Sequence, residues 1–124
     1  MGLSEESSAW VTLTRAPALD IRSLSRALEI FGTAQGFIQA SDASRERAGL
    51  PAAARGFLTS ARAAPSPAER AWLEHPRHHV VPYTDPRYPA LLREAGRHPI
   101  ALYVAGNADV LNDPQLAKIG RAHV

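Results

Sequence analysis

His75, His78, His79 and Asp85 are the cluster in this 124-residue chain whose side chains suit a metal ion. Imidazole and carboxylate are the right donors, but neighbours on a strand point to opposite faces, so His78 and His79 would need a bulge to reach one ion. Strand-edge histidines are therefore expected, and no metal. Three arginines, Arg15, Arg22 and Arg26, at and after the turn Arg15-Ala16-Pro17-Ala18-Leu19-Asp20, have the chemistry to touch backbone phosphates and equally read as solvated arginines on the polar side of an amphipathic helix. Glu5 and Glu6 read as solvated carboxylates at a helix start, where the macrodipole favours them, rather than as an acid–base pair. The chain has no Cys and no G-x-G-x-x-G, Walker A or nucleophile-elbow motif. No catalytic residue, no cofactor and no enzymatic activity are expected.

These residues need elements to hold them. Ser4 or Ser7 starts a helix carrying Trp10 and Leu13, and Asp20 N-caps a second with Ile21, Leu24, Leu28 and Phe31 on one face and Gly32 after its end. Thr33 caps a short helix with Phe37 and Ile38, the polar stretch SDASRER follows as a connection, and Pro51 opens a helix that turns Leu50, Ala54, Phe57 and Leu58 to one side. The turns at Ala16–Asp20 and Ala48-Gly49-Leu50-Pro51 sit where a helix-hairpin-helix places its phosphate-binding hairpin. That motif needs glycine for close approach. The first turn has Ala18 and Asp20 instead, and a carboxylate there competes with phosphate for the same amides.

Eight of the ten prolines fall between Pro65 and Pro114, so the chain changes character near Ala64. Ala61 to Ser66 reads as a linker, and Ser66 with Glu69 as a capping box around Pro67, opening a helix through Trp72 and Leu73 that ends before Pro76. His79-Val80-Val81 predicts a strand, Asp85-Pro86 the start of a helix over 86–95, and Ile100 to Val104 a second strand. Strand, helix, strand predicts a parallel βαβ opening. Asn107 caps a single turn to Leu111, and Pro114-Gln115-Leu116-Ala117 would lead into a third strand.

The chain is 45% hydrophobic and 21% charged, which suits a globular protein, and its net charge of +2 suggests an anionic partner. The distribution removes that suggestion. The one Lys, Lys118, lies in the tail KIGRAHV, which can be written AAG ATC GGA AGA GCA CAC GTC and from its second base matches the start of a common sequencing-library adapter. Residues 118–124 are accordingly expected to be artefactual. Without them, twelve basic residues balance twelve acids. The acidic Glu5 and Glu6 argue against a secretory leader, and no apolar run approaches a membrane span, so a cytoplasmic protein away from membranes is expected.

The segment Thr84-Asp85-Pro86-Arg87-Tyr88-Pro89-Ala90-Leu91-Leu92-Arg93-Glu94, then Pro99-Ile100-Ala101-Leu102-Tyr103-Val104-Ala105-Gly106 and P-Q-L-A, resembles the opening of the Rossmann-like domain of the DprA/Smf DNA-processing family. Upstream, W-V-x-L-x-R-A-P from Trp10, L-x-x-F-G-T-A from Leu28 and A-G-L from Ala48 resemble the helical region preceding that domain. The resemblance covers Ala9 to Ala117. It departs at Ala18 and Asp20, where the family has P-G-L/I-G, and after Ala117, where the family continues I-V-G-S-R into its single-stranded DNA pocket. Gly120 and Arg121 only mimic that glycine and arginine.

The resemblance implies an α+β chain: a helical SAM-like, helix-hairpin-helix-like domain over 1–64, a linker and connecting helix over 65–77, and the truncated start of a Rossmann-like α/β domain over 78–117. It implies an N-terminal fragment of a protein that binds single-stranded DNA and hands it to RecA in natural transformation. Homodimerisation of the full-length protein would use regions outside this chain. Arg15, Arg22 and Arg26 are the DNA-contact candidates, and the fragment alone is expected to bind weakly. Alternatives are a standalone helical DNA-repair or interaction module, or part of a phosphoribohydrolase-like Rossmann enzyme. Residues 1–75 are expected to be the better ordered half, because a βαβ unit cut short leaves Ile100, Leu102 and Val104 exposed.

Overall fold

A computed structural model of the protein describes residues 4–95 and 98–111. They divide into two compact units, one over Ser4–Ser66 and one beginning at Pro67. Composition alone places the change near Ala64.

The first unit is helical, and its helices begin where side-chain oxygens cap free amides. Ser4 caps α1 (Glu5–Arg15), Asp20 caps α2 (Ile21–Phe31), Thr33 caps α3 (Ala34–Gln39) and Ser41 caps α4 (Asp42–Arg47). Pro51 precedes α5 (Ala52–Leu58), and a 3-10 turn follows over Ala61–Ala63. α2 ends at Gly32, whose φ of 86° suits a residue without a Cβ. α1 and α2 both pack on α3, and α4 packs on α5. Val11, Leu13, Leu24, Ala27, Phe37 and Ala54 are fully buried. Each large member contributes about 1.5–3 kcal/mol by leaving water.

α4 corrects the expected connection over SDASRER. This helix has almost no apolar residues for periodicity to find. Its signals are polar instead: a Ser41 cap, Asp42 in the first turn, and Arg45 and Arg47 in the last, the order the macrodipole favours.

The second unit contains α6 (Pro67–Glu74), β1 (His78–Pro82), α7 (Ala90–Glu94), β2 (Ala101–Ala105) and a 3-10 turn over Ala108–Val110 capped by Asn107. The strands pair antiparallel, with His78 opposite Ala105 and Pro82 opposite Ala101. This overturns the expected parallel βαβ opening. The chain turns back directly at Pro82: the Tyr83 amide donates to Ile100 O at 2.8 Å, and the Asp85 amide to Pro82 O at 2.9 Å. α7 is thus an insertion in an antiparallel connection, not a crossover. It also begins four residues later than expected, since residue 88 precedes Pro89 and is disfavoured in helical geometry.

Val81, Tyr88, Leu102, Val104, Ala108 and Leu111 form a core beneath the two strands, with Tyr83 and Leu92 packed against it. The expected exposure of Leu102 and Val104 is therefore not observed. Together the units make an α+β chain. The expected strand at 114–117 and the tail at 118–124 lie outside the described residues.

Candidate functional site

The histidine cluster is built as structure. His78 Nδ1 lies 2.6 Å from Trp72 O, and its ring stacks between Trp72 and His75, with centroid distances of 4.0 and 4.3 Å. His79 turns elsewhere, its Nε2 3.0 Å from Gly106 O. Among the described residues no group of three His, Cys, Asp or Glu side chains could hold a metal ion.

The Asp85–Leu92 motif is likewise a folding device. Asp85 Oδ1 accepts the Arg87 amide at 2.8 Å, and its other oxygen pairs with the Arg87 guanidinium at 3.0 Å. The Arg87 hydrogen bond holds the Asp85 carboxyl below its usual range. Tyr88 is fully buried and donates its hydroxyl to Pro99 O at 2.8 Å, while burial pushes its pKa up to about 12. Arg93 donates to the carbonyls of Tyr83, Asp85 and Tyr88 and so ties the loop onto α7.

In the helical unit, the structure separates the three candidate arginines. Arg15 is held within the fold: it donates to Arg62 O at 2.8 Å, Ala63 O at 3.0 Å and Ala64 O at 2.9 Å, with its guanidinium 5.6 Å from the Phe57 ring centroid. Arg22 and Arg26 are exposed one turn apart on α2. Arg26 Nη1 reaches the second turn, 3.8 Å from where a Cβ on Gly49 would stand. Ile30, one turn further along α2, is 57% exposed. It lines a cleft of about 220 Å³ with Phe31, Ser44, Arg47 and Ala48.

In the first turn a carboxylate occupies an amide at the start of α2. Asp20 Oδ1 already accepts the Ser23 amide at 2.7 Å, and that hydrogen bond is the main reason its pKa is lowered. Ala18 nonetheless adopts φ 60°, the left-handed conformation that glycine takes without penalty. The turn places an alanine in a glycine-like backbone.

Several polar residues with structural roles escaped the sequence reading. Glu6 is not merely solvated: its carboxylate accepts the amides of Ala34 and Gln35, both at 3.0 Å, and Trp10 Nε1 at 3.1 Å. It thereby caps α3 from another helix. Glu5 accepts the Gln35 side-chain amide. Thr12 is buried and donates to Ala63 O. Arg45 is 3% exposed and donates to Ile38 O at 3.0 Å, with desolvation lowering its pKa. Asp42 and Glu46 face Arg55, at 3.1 and 3.7 Å.

These contacts revise the charge argument. Glu6 caps α3, and Asp42 and Glu46 pair with Arg55, so the acids beside Arg22, Arg26 and Arg47 are chiefly Glu29 and Asp20, which keeps its charge next to Arg22. The balance of twelve basic and twelve acidic residues outside 118–124 thus leaves a small positive surplus around Arg22, Arg26 and Arg47.

Protein Smf of Escherichia coli strain K12 is 43% identical to the chain over 53 residues, a stretch that is 42% of this chain and 14% of Smf. Over that stretch the chain is DprA/Smf-like. The chain thus spans far less than two thirds of this curated relative. No family model and no solved structure matches it. Among the described residues no helix is long and apolar enough to cross a membrane.

Proposed function

We propose that the chain is a segment of a DprA/Smf-type DNA-processing protein, acting in the cytoplasm to bind incoming single-stranded DNA and help load RecA. The supporting observation is the 43% identity to Smf over 53 residues. In this reading the helical unit has the SAM-like role and the strand unit opens a Rossmann-like domain. The chain performs no catalysis. Arg22 and Arg26 make phosphate contacts, and Arg15 braces α1 to residues 62–64.

Titration of a labelled single strand with the full chain tests this reading. Weak binding is expected, with a dissociation constant on the order of 10⁻⁴ to 10⁻⁶ M that weakens steeply with salt. Capture of RecA by the DNA-bound chain tests the handover. A chain that binds no oligonucleotide even at low salt contradicts the DNA role of this segment. The compactness of Ser4–Ser66 favours one other reading, a helical interaction module that acts through protein contacts.

A further inference from the structure

The cleft between the end of α2 and α4 has a composition that phosphate contact alone does not require. It is lined by Ile30, Phe31, Ser44, Arg47 and Ala48, a mostly apolar set with one guanidinium-bearing residue. Phe31 leans on Phe37 with centroids 5.7 Å apart, which fixes one wall against the core. At about 220 Å³ the cleft is smaller than the roughly 300–1,000 Å³ of drug-sized sites. It suits one planar ring.

Charge is graded along the approach. Arg22, Arg26 and Ile30 follow one another at four-residue intervals on α2, so the cationic stripe leads into the apolar opening. Glu29 lies beside the stripe, Asp20 stands at its start next to Arg22, and Glu46, next to Arg47 in sequence, is turned to Arg55, which leaves three arginines against two carboxylates. The surplus is positive. Aromatic rings and guanidinium planes are the surfaces on which unstacked bases rest, while neighbouring cations follow the backbone.

We infer that this cleft holds one nucleobase of a single strand whose adjoining phosphates lie on Arg22 and Arg26. The inference rests on the DNA-processing reading and adds to it a base-stacking subsite on the helical unit. The side chains reach the base through its faces, so the subsite accepts any base and prefers single strands to duplex, whose bases stay stacked.

The test uses the full chain at about 50 mM salt and three probes: a short labelled oligonucleotide, the same strand made abasic, and an acidic peptide with one apolar residue. Wild type is expected to bind the base-bearing strand roughly tenfold more tightly than the abasic one. Ile30→Ser and Arg47→Ala should abolish that preference. Arg22→Ala with Arg26→Ala should weaken both strands alike and leave the ratio intact. Circular dichroism of each variant shows whether it is folded, and Ile30 is exposed enough for its replacement to leave the core in place. Equal binding of the two strands by wild type overturns the base subsite while leaving DNA binding standing. Binding of neither strand overturns both readings, and binding of the peptide alone assigns the cleft to a protein partner.

Discussion

Polar side chains act over different ranges in the two units. In the helical unit they join distant segments: Glu6 reaches residues 34 and 35, and Arg15 reaches 62 to 64. In the strand unit most of them act locally: the Asp85–Arg87 pair and the Arg93 bonds close one loop and Tyr88 reaches Pro99, while His79 alone among these reaches far along the chain, to Gly106 across the strand pair. The first pattern assembles helices that share few local contacts, whereas the second fixes a turn between strands already held by their ladder. The difference teaches which charges are available for function. A charged residue bonded to remote backbone is a brace, whereas Arg22 and Arg26 are exposed on α2 and can meet a ligand.

The largest effects should come from the strand unit's central ring. Tyr88→Ala is expected to lower stability by about 3–5 kcal/mol, as removal of a buried aromatic does, measured by urea denaturation. Tyr88→Phe should cost only about 1 kcal/mol, through the lost bond to Pro99. pH separates the two states further. An unfolded tyrosine ionises near its ordinary pKa of 10.0, whereas the buried one holds its proton to about 12. The wild-type fold should therefore be insensitive to this group below pH 10 and lose stability as pH rises from there towards 12, because the unfolded state gives up its proton first. Tyr88→Phe should lack this component of the alkaline loss, and an unchanged profile would contradict the buried hydroxyl.

In the helical unit, Glu6→Ala is expected to cost about 2 kcal/mol, because it strips two amides and the Trp10 indole of one charged acceptor. Glu6→Gln should recover part of that loss in thermal denaturation. If Glu6→Ala is neutral, the long-range bracing described above is wrong for α3.

The two turns give the smallest and most diagnostic pair. Gly49 at φ 91° and Ala18 at φ 60° both occupy left-handed geometry. Gly49→Ala should destabilise by about 1–2 kcal/mol, while Ala18→Gly should stabilise by up to about 1 kcal/mol, less the added freedom of the unfolded glycine. Opposite signs in matched melting curves are the expected outcome. The same sign for both would refute the shared geometry.

Much of the local structure was legible in the residues. The caps at Asp20, Thr33 and Asn107, the glycine end of α2 and the positions of both strands follow from side-chain chemistry acting within a few residues. What was hidden acts at longer range. α4 lacks an apolar stripe, the antiparallel pairing depends on how the 83–100 segment folds back, and the roles of Glu6 and Arg15 depend on partners about thirty and fifty residues away. Of the candidate site, the sequence supplied the arginines and the doubtful first hairpin. It did not show that Arg47 and Ile30 lie at one cleft, because α4 was read as a connection.

The distinction between bracing and binding arginines is open to a direct measurement: the salt dependence of single-strand affinity for wild type, Arg15→Ala and the Arg22→Ala/Arg26→Ala double variant. Each phosphate contact on a single strand contributes about 0.7 to the slope of log affinity against log salt. The double variant should flatten the slope by about 1.4 with its melting temperature nearly unchanged, while Arg15→Ala should lower the melting temperature and keep the wild-type slope. A flattened slope for Arg15→Ala, or an unaltered one for the double variant, would place the DNA contact elsewhere than on α2.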